Sequence, residues 1–127
     1  ISTVVTERLQ LKHAHWLGKG LRIICSDFFE LNERFDRVIE QTFFCALTPD
    51  LREAYARKMA SILSQDGKLV GLWFDRDFEG GPPFGGKAGD YQALFSRYFQ
   101  EVQFTSCMNS IQPRSGTEVF GIISKPF

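Results

Sequence analysis

Hydrophobic and polar positions follow two different periods along this chain, and each change of period marks a predicted element. Val4, Val5, Leu9, Leu11 and Leu17 form an imperfect helical stripe that Ser2 caps and Gly18 and Gly20 stop, with Glu7, Arg8 and Lys12 on its solvated face. Residues 21–25, Leu-Arg-Ile-Ile-Cys, read as a short buried strand ending at Ser26 and Asp27. Phe35, Val38 and Ile39 place a second strand over 35–40, which leaves through an aromatic turn at 41–47. Thr48, Pro49 and Asp50 open the clearest helix, Thr48 as N-cap and Pro49 at the first helical position. Leu51, Tyr55, Met59, Ile62 and Leu63 recur along it at helical spacing until Asp66 and Gly67 end it. Residues 68–74 are apolar without alternation, the pattern of a strand covered on both faces. Residues 80–89 hold five Gly and two Pro, a loop longer than the usual ~4–6 residues and therefore a candidate for function. Asp90 caps a helix running to Phe99 that buries Tyr91, Leu94, Phe95 and Tyr98, and strands over 102–108 and 118–124 follow, joined by a polar turn.

The predicted order is helix, strand, strand, helix, strand, helix, strand, strand. Strands alternating with helices give an open α/β sheet, and two final strands with no helix between them give an antiparallel closing pair. Asp27, at the end of the first predicted strand, lies where open α/β sheets bind ligands.

Composition narrows the partners. At 127 residues, 43% hydrophobic and 24% charged, the chain is one domain by size with an ordinary globular balance. Fifteen basic and fifteen acidic residues cancel with no run of like charge, which argues against a nucleic-acid partner or an anionic membrane surface. No apolar stretch approaches the ~20 residues of a membrane span, and no signal peptide precedes the first element. Cys25, Cys45 and Cys107 are odd in number, widely spaced and in apolar contexts, so they are expected to be reduced, buried thiols of a cytoplasmic protein. His13 and His15 would point to different helix faces, and no other spacing suits a metal. The thirteen Phe gather at strand ends and in helices; most should pack the core and several should line a cavity. The chain begins at Ile1 without a Met and enters a helix almost at once, so it reads as a fragment.

Two segments carry the chemistry. Residues 35–50, with Phe43-Phe44-Cys45-Ala46-Leu47 at their centre, run from a strand into an aromatic turn and a helix start. Residues 73–84 run from a strand into Gly80-Gly81-Pro82-Pro83-Phe84. In this order and spacing they resemble the thiopurine methyltransferase family and its plant thiol and halide methyltransferase relatives. The resemblance implies a Rossmann-like class I methyltransferase sheet with an antiparallel C-terminal strand pair, lacking its first strands. Residues 1–127 would then be the C-terminal two-thirds of one methyltransferase domain, with the glycine-rich cofactor loop and the ribose-binding acid missing and Ile1 and Ser2 directly following that acid. Such a piece would have a hole at the centre of its sheet and is expected neither to fold well nor to be active alone.

The implied reaction is methyl transfer from S-adenosyl-L-methionine to a small soft nucleophile: a thiol, thiocyanate, sulfide or halide, with thiopurines less favoured. Asp27 matches the position whose carboxylate meets the adenine amino group, and Phe28 the neighbour whose backbone amide meets the ring. Glu40, Gln41 and Thr42 match the strand end beneath the methionine half of the cofactor. Phe43 and Phe44 match aromatic positions near the cofactor and acceptor, where a sulfonium gains from aromatic faces, although at least one reads equally as core. Phe78, Pro82, Pro83 and Phe84 match the loop that folds over the acceptor, the prolines stiffening a lid that the glycines let hinge. No catalytic base is assigned, because in-line displacement at an already activated methyl depends chiefly on proximity and desolvation. Gln41 replaces an Arg of the animal and bacterial enzymes, and Phe84 a Tyr of the plant ones. Cys45 reads as a packing thiol rather than a nucleophile. The competing reading is a non-catalytic methyltransferase-like binding or regulatory module. A nucleotide-dependent oxidoreductase is weaker, as it has no use for the Gly-Gly-Pro-Pro-Phe loop.

Overall fold

Residues 2–127 are described in the computed structural model of the chain, and they divide into two units, one ending at Asn32 and the other spanning Glu33–Phe127. Any role for Ile1 lies outside the described residues. In the first unit, Ser2 caps α1 (Thr3–Lys12) as predicted, its hydroxyl accepting from the Val5 amide at 3.3 Å. The helix is shorter than its pattern suggested: His13 is its C-cap and residues 14–16 form a separate 3₁₀ turn. The expected apolar stripe is not buried, for Val4, Val5, Leu9 and Leu11 are all exposed. At ~100° per residue these four spread over nearly half the helix circumference, so they make no compact face. The strand expected at 21–25 does not form, and Ile24 and Cys25 are exposed. Only an isolated bridge between Leu17 and Leu21 marks the region; an apolar run becomes a strand through ladder partners, which a periodicity argument cannot supply.

The second unit is a four-stranded sheet carrying two helices. Its elements are β1 (Phe35–Gln41), α2 (Arg52–Ile62), β2 (Leu63–Phe74), α3 (Ala88–Phe95), β3 (Phe99–Ser106) and β4 (Glu118–Pro126). The strand order is β1-β2-β4-β3, with β1 and β2 parallel and β4 antiparallel to both its neighbours. This is the α/β sheet with an antiparallel C-terminal pair that the element order implied.

Several boundaries move for identifiable reasons. Pro49 does open a 3₁₀ turn, but the Thr48 side chain makes no capping bond; its carbonyl accepts from the Leu51 amide at 2.9 Å instead. α2 is rich in good helix formers and buries Tyr55, Ala56, Met59 and Ile62 on one face. It stops at Ile62 rather than at Asp66, because Leu63 is already extended, fully buried and paired with Phe35 of β1. Asp66 and Gly67 fall within an irregular stretch where the register jumps from Phe35–Leu63 to Arg37–Lys68. Asp90 is not the cap of α3: the bond to the Ala88 amide, 2.9 Å, comes from Asp75 at the end of β2. α3 ends at Phe95, and Phe99 already belongs to β3.

β2 does alternate, contrary to the expectation: Leu69, Gly71 and Trp73 are buried, while Val70, Leu72 and Phe74 are half-buried. The buried face meets α2 and α3 through a cluster of rings, Phe44, Tyr55, Trp73, Tyr91, Phe95 and Phe104, with centroids 5.0–6.5 Å apart. Room for it comes from glycine. Glu40, Gly71, Gly121 and Phe104 lie side by side across the four strands. A Cβ on Gly121 would stand 2.6 Å from the Trp73 ring and 2.7 Å from that of Phe104, and one on Gly71 would collide with the Glu40 backbone. The row therefore carries no side chain at its centre, which leaves room for the Trp73 and Phe104 rings over Gly121.

Candidate active site

β1 ends in a sharp turn at the C-terminal edge of the parallel pair, where α/β sheets bind ligands. Thr42 adopts a left-handed backbone, φ 64°, which for a β-branched residue costs on the order of 1–3 kcal/mol. The turn is held from below. Glu40, 3% exposed, accepts from the Phe43 and Phe44 amides at 3.0 Å each with one oxygen and from the Tyr55 hydroxyl at 2.6 Å with the other. Burial, and after it the neighbouring Glu40, raise the Tyr55 hydroxyl well above its ordinary range, so it remains a donor.

The Gly-Gly-Pro-Pro-Phe loop is tied to this turn. The Phe84 amide donates to the Cys45 carbonyl at 2.7 Å, and Arg52 of α2 donates to the Gly85 carbonyl at the same distance while lying over the Phe44 ring at 5.1 Å. The Tyr91 hydroxyl, which burial pushes up to about 12, donates to the Phe74 carbonyl at 2.6 Å and fixes the root of the loop. Pro82 and Pro83 both follow cis peptide bonds.

Between turn and loop lies an open cavity of about 350 Å³, walled by Thr42, Cys45, Ala46, Phe74, Pro82, Pro83 and Arg114. A second, more polar hollow of about 620 Å³ adjoins it at Thr42 and Arg114 and includes Gln41, Asn109, Ser110 and Glu118. The two segments singled out from sequence thus meet in one cavity. Phe44 is 2% exposed and belongs to the core beneath, whereas Phe43 is 39% exposed. Phe78 stacks edge-on against Phe74 at 4.9 Å under the Arg76 guanidinium, and Phe84 folds back over Gly81, so neither ring walls this cavity. In the first unit, Asp27 is exposed and heads a 3₁₀ turn (Phe28–Glu30), one oxygen accepting from the Phe29 amide at 2.9 Å; Phe28 is half-buried.

Sequence reasoning missed Arg114 and Glu118. The Arg114 guanidinium lies 4.6 Å over the Phe74 ring and 3.5 Å from the carboxylate of Glu118, which is almost wholly buried. Both were legible only as turn and strand-start residues; their four-residue separation across a turn was the available signal.

Cys45 is half-buried rather than buried, and Cys25 is exposed. Burial first, and then Glu40, raise the Cys45 thiol above the ordinary thiol range, outweighing the opposing pull of Arg114 and Arg52. The thiol donates to the Thr42 carbonyl at 3.5 Å and stays protonated at neutral pH. Alkylation of Cys45 by iodoacetamide at pH 8 should therefore be slower than that of an unstructured cysteine peptide, with the gap closing as pH rises through the folded thiol's raised value. Equal rates at pH 8 would show that the wall does not shield it.

Two solved methyltransferases share this fold. A TehB-like enzyme of Corynebacterium glutamicum superposes with a TM-score of 0.67 over 98% of this chain and 64% of its own, at 13% identity. The 1,6-didemethyltoxoflavin-N1-methyltransferase of Burkholderia thailandensis, solved with S-adenosylhomocysteine, does so with 0.66 over 93% and 56%, at 15% identity. These likenesses define the fold, that of the class I methyltransferases. Residues 3–123 match the family described as Thiopurine S-methyltransferase (TPMT), and the chain belongs to that family. Its relatives include the probable thiol methyltransferase 2 of Arabidopsis thaliana, 33% identical over 82% of this chain, and the thiocyanate methyltransferase 1 of Brassica oleracea, 34% identical over 82%. A thiopurine S-methyltransferase of Nitrosospira multiformis is 28% identical over 68%. The chain spans about half the length of these relatives, 48% of each plant protein and 42% of the bacterial one.

Proposed function

We propose that this chain is part of an S-adenosylmethionine-dependent methyltransferase whose acceptor is a small soft nucleophile, a thiol, thiocyanate, sulfide or halide. The observation that carries the reading is the cavity shared by the aromatic turn and the Pro-Pro loop, with the Arg114 cation in its wall. Its wall of Phe74, Pro82, Pro83 and Ala46 suits a polarisable acceptor, and its cation suits an anion. The names of the two plant relatives point the same way.

Residues within each of the two units suit a part of the cofactor. Asp27 is an exposed carboxylate with one oxygen engaged in the turn, suited to an adenine amino group beside Phe28. Gln41 and Thr42 line the polar hollow at the strand end. S-adenosylmethionine would supply a methyl group already activated by its sulfonium. This chain's own residues then have modest tasks. Arg114 holds the acceptor's negative charge, Pro82, Pro83 and Phe74 exclude water from it, and Phe43 offers an exposed ring at the turn. Proximity and desolvation are enough for a displacement that requires no base. Cys45 does not compete as an acceptor, since its proton is retained.

Calorimetric titration of the full-length gene product with S-adenosylhomocysteine, alongside Asp27→Ala, tests the reading. Binding that weakens about tenfold or more in the variant supports it, the size expected for one charge-assisted hydrogen bond. An intact protein that binds no S-adenosylhomocysteine would sink it and favour a non-catalytic module.

A further inference from the structure

We propose that Glu40 and Tyr55 are positioning residues that set the acceptor wall, and that Glu40 is not a cofactor ligand. The inference rests on the methyltransferase reading and deepens it. Glu40 sits at the strand end, where a carboxylate invites a ligand role, yet its hydrogen bonds run in the other direction. Both of its oxygens are engaged from inside the protein, by the Phe43 and Phe44 amides and by the Tyr55 hydroxyl. A side chain 3% exposed, with three donors already on it, has little left to offer a ligand.

Those bonds have a mechanical consequence. Two amides on one carboxylate oxygen fix the direction of the chain from 42 to 45, including the left-handed Thr42, which would otherwise relax. The Cys45 carbonyl at the end of that turn receives the Phe84 amide. The order of support is therefore Tyr55 on α2, Glu40 on β1, the turn, and then the loop whose Pro82 and Pro83 close the cavity. Tyr55 is not among the residues that wall the cavity, yet its hydroxyl is the second anchor of the residue that holds the wall. Its ring is fully buried, so loss of the hydroxyl alone leaves the packing in place.

The test uses the full-length gene product with Tyr55→Phe, Glu40→Gln and the double variant. Three quantities are measured: the dissociation constant for S-adenosylhomocysteine, and KM and kcat for methylation of thiocyanate or a small thiol. The expected result is an acceptor KM raised about tenfold in Tyr55→Phe and in Glu40→Gln, with S-adenosylhomocysteine weakened less and to a similar extent in both variants, because the turn also carries Thr42 of the polar hollow. The double variant should be no worse than the poorer single one, because both substitutions remove the same support. Glu40→Gln that weakens S-adenosylhomocysteine while Tyr55→Phe leaves acceptor KM unchanged would overturn the proposal and make Glu40 a ligand. Lowered stability with KM and kcat both unchanged would also overturn it, leaving a purely structural pair. Should Glu40→Gln fail to fold, the KM of Tyr55→Phe decides alone. A parent protein that neither binds S-adenosylhomocysteine nor methylates would instead refute the underlying function, an outcome distinct from all of these.

Discussion

Phe44→Ala should destabilise the protein by ~3–5 kcal/mol, the range for removing a buried aromatic side chain from a packed core. The ring is 2% exposed and meets Tyr55, Tyr91, Phe95 and Trp73 at 5.0, 5.5, 6.1 and 6.5 Å, so four neighbours from three elements lose a common partner. It also supports the Arg52 guanidinium that reaches the loop at Gly85. The cavity left behind would adjoin the acceptor wall, and the loop should loosen with it. Urea denaturation of the full-length gene product measures the loss. A change below about 1 kcal/mol would mean that the cluster collapses around the gap and that the turn is held by Glu40 alone.

Arg114→Met should lower kcat/KM for an anionic acceptor by about 10–100-fold, a larger loss than any in S-adenosylhomocysteine binding. The reasoning is that a charge-assisted contact is worth ~1.5–3 kcal/mol and each ~1.4 kcal/mol is a factor of ten. The substitution has a second effect that must be separated. The Glu118 side chain is 3% exposed and would lose the cation 3.5 Å away, and a buried charge without its partner is costly. Arg114→Met with Glu118→Gln removes that penalty; if the double variant recovers stability but not activity, Arg114 acts on the acceptor. Recovery of both would assign the pair to structure and remove Arg114 from the chemistry.

How much of this was legible in the sequence depended on the range of the forces involved. α2, the parallel strands and the final antiparallel pair were readable because their apolar spacing is local and strong. The meeting of the aromatic turn with the Gly-Pro loop was also anticipated, through the motif that both share with the family. The failures lie where a distant residue decides. Leu63 leaves its helix because Phe35 pairs with it, and the start of α3 is held by Asp75 rather than by Asp90. The run at 21–25 has the composition of a strand and does not form one. At the site, Glu40 stood in the right place, but nothing in a linear pattern tells whether a carboxylate faces outward to a ligand or inward to a tyrosine fifteen positions away. Arg114 was hidden in a stretch whose polarity looked like that of any turn.

β4 is the last strand in chain order, yet it lies between β2 and β3, which do not pair with each other. During synthesis β1, β2 and their helix can assemble early, but β3 has no place in the sheet until Glu118–Pro126 has emerged from the ribosome. A premature stop codon near the start of that short stretch, before the residues that pair with β2, would therefore do more harm than its length suggests. It would leave β2 with an open edge and β3 with no sheet to join, exposing two strand edges of the kind that template aggregation.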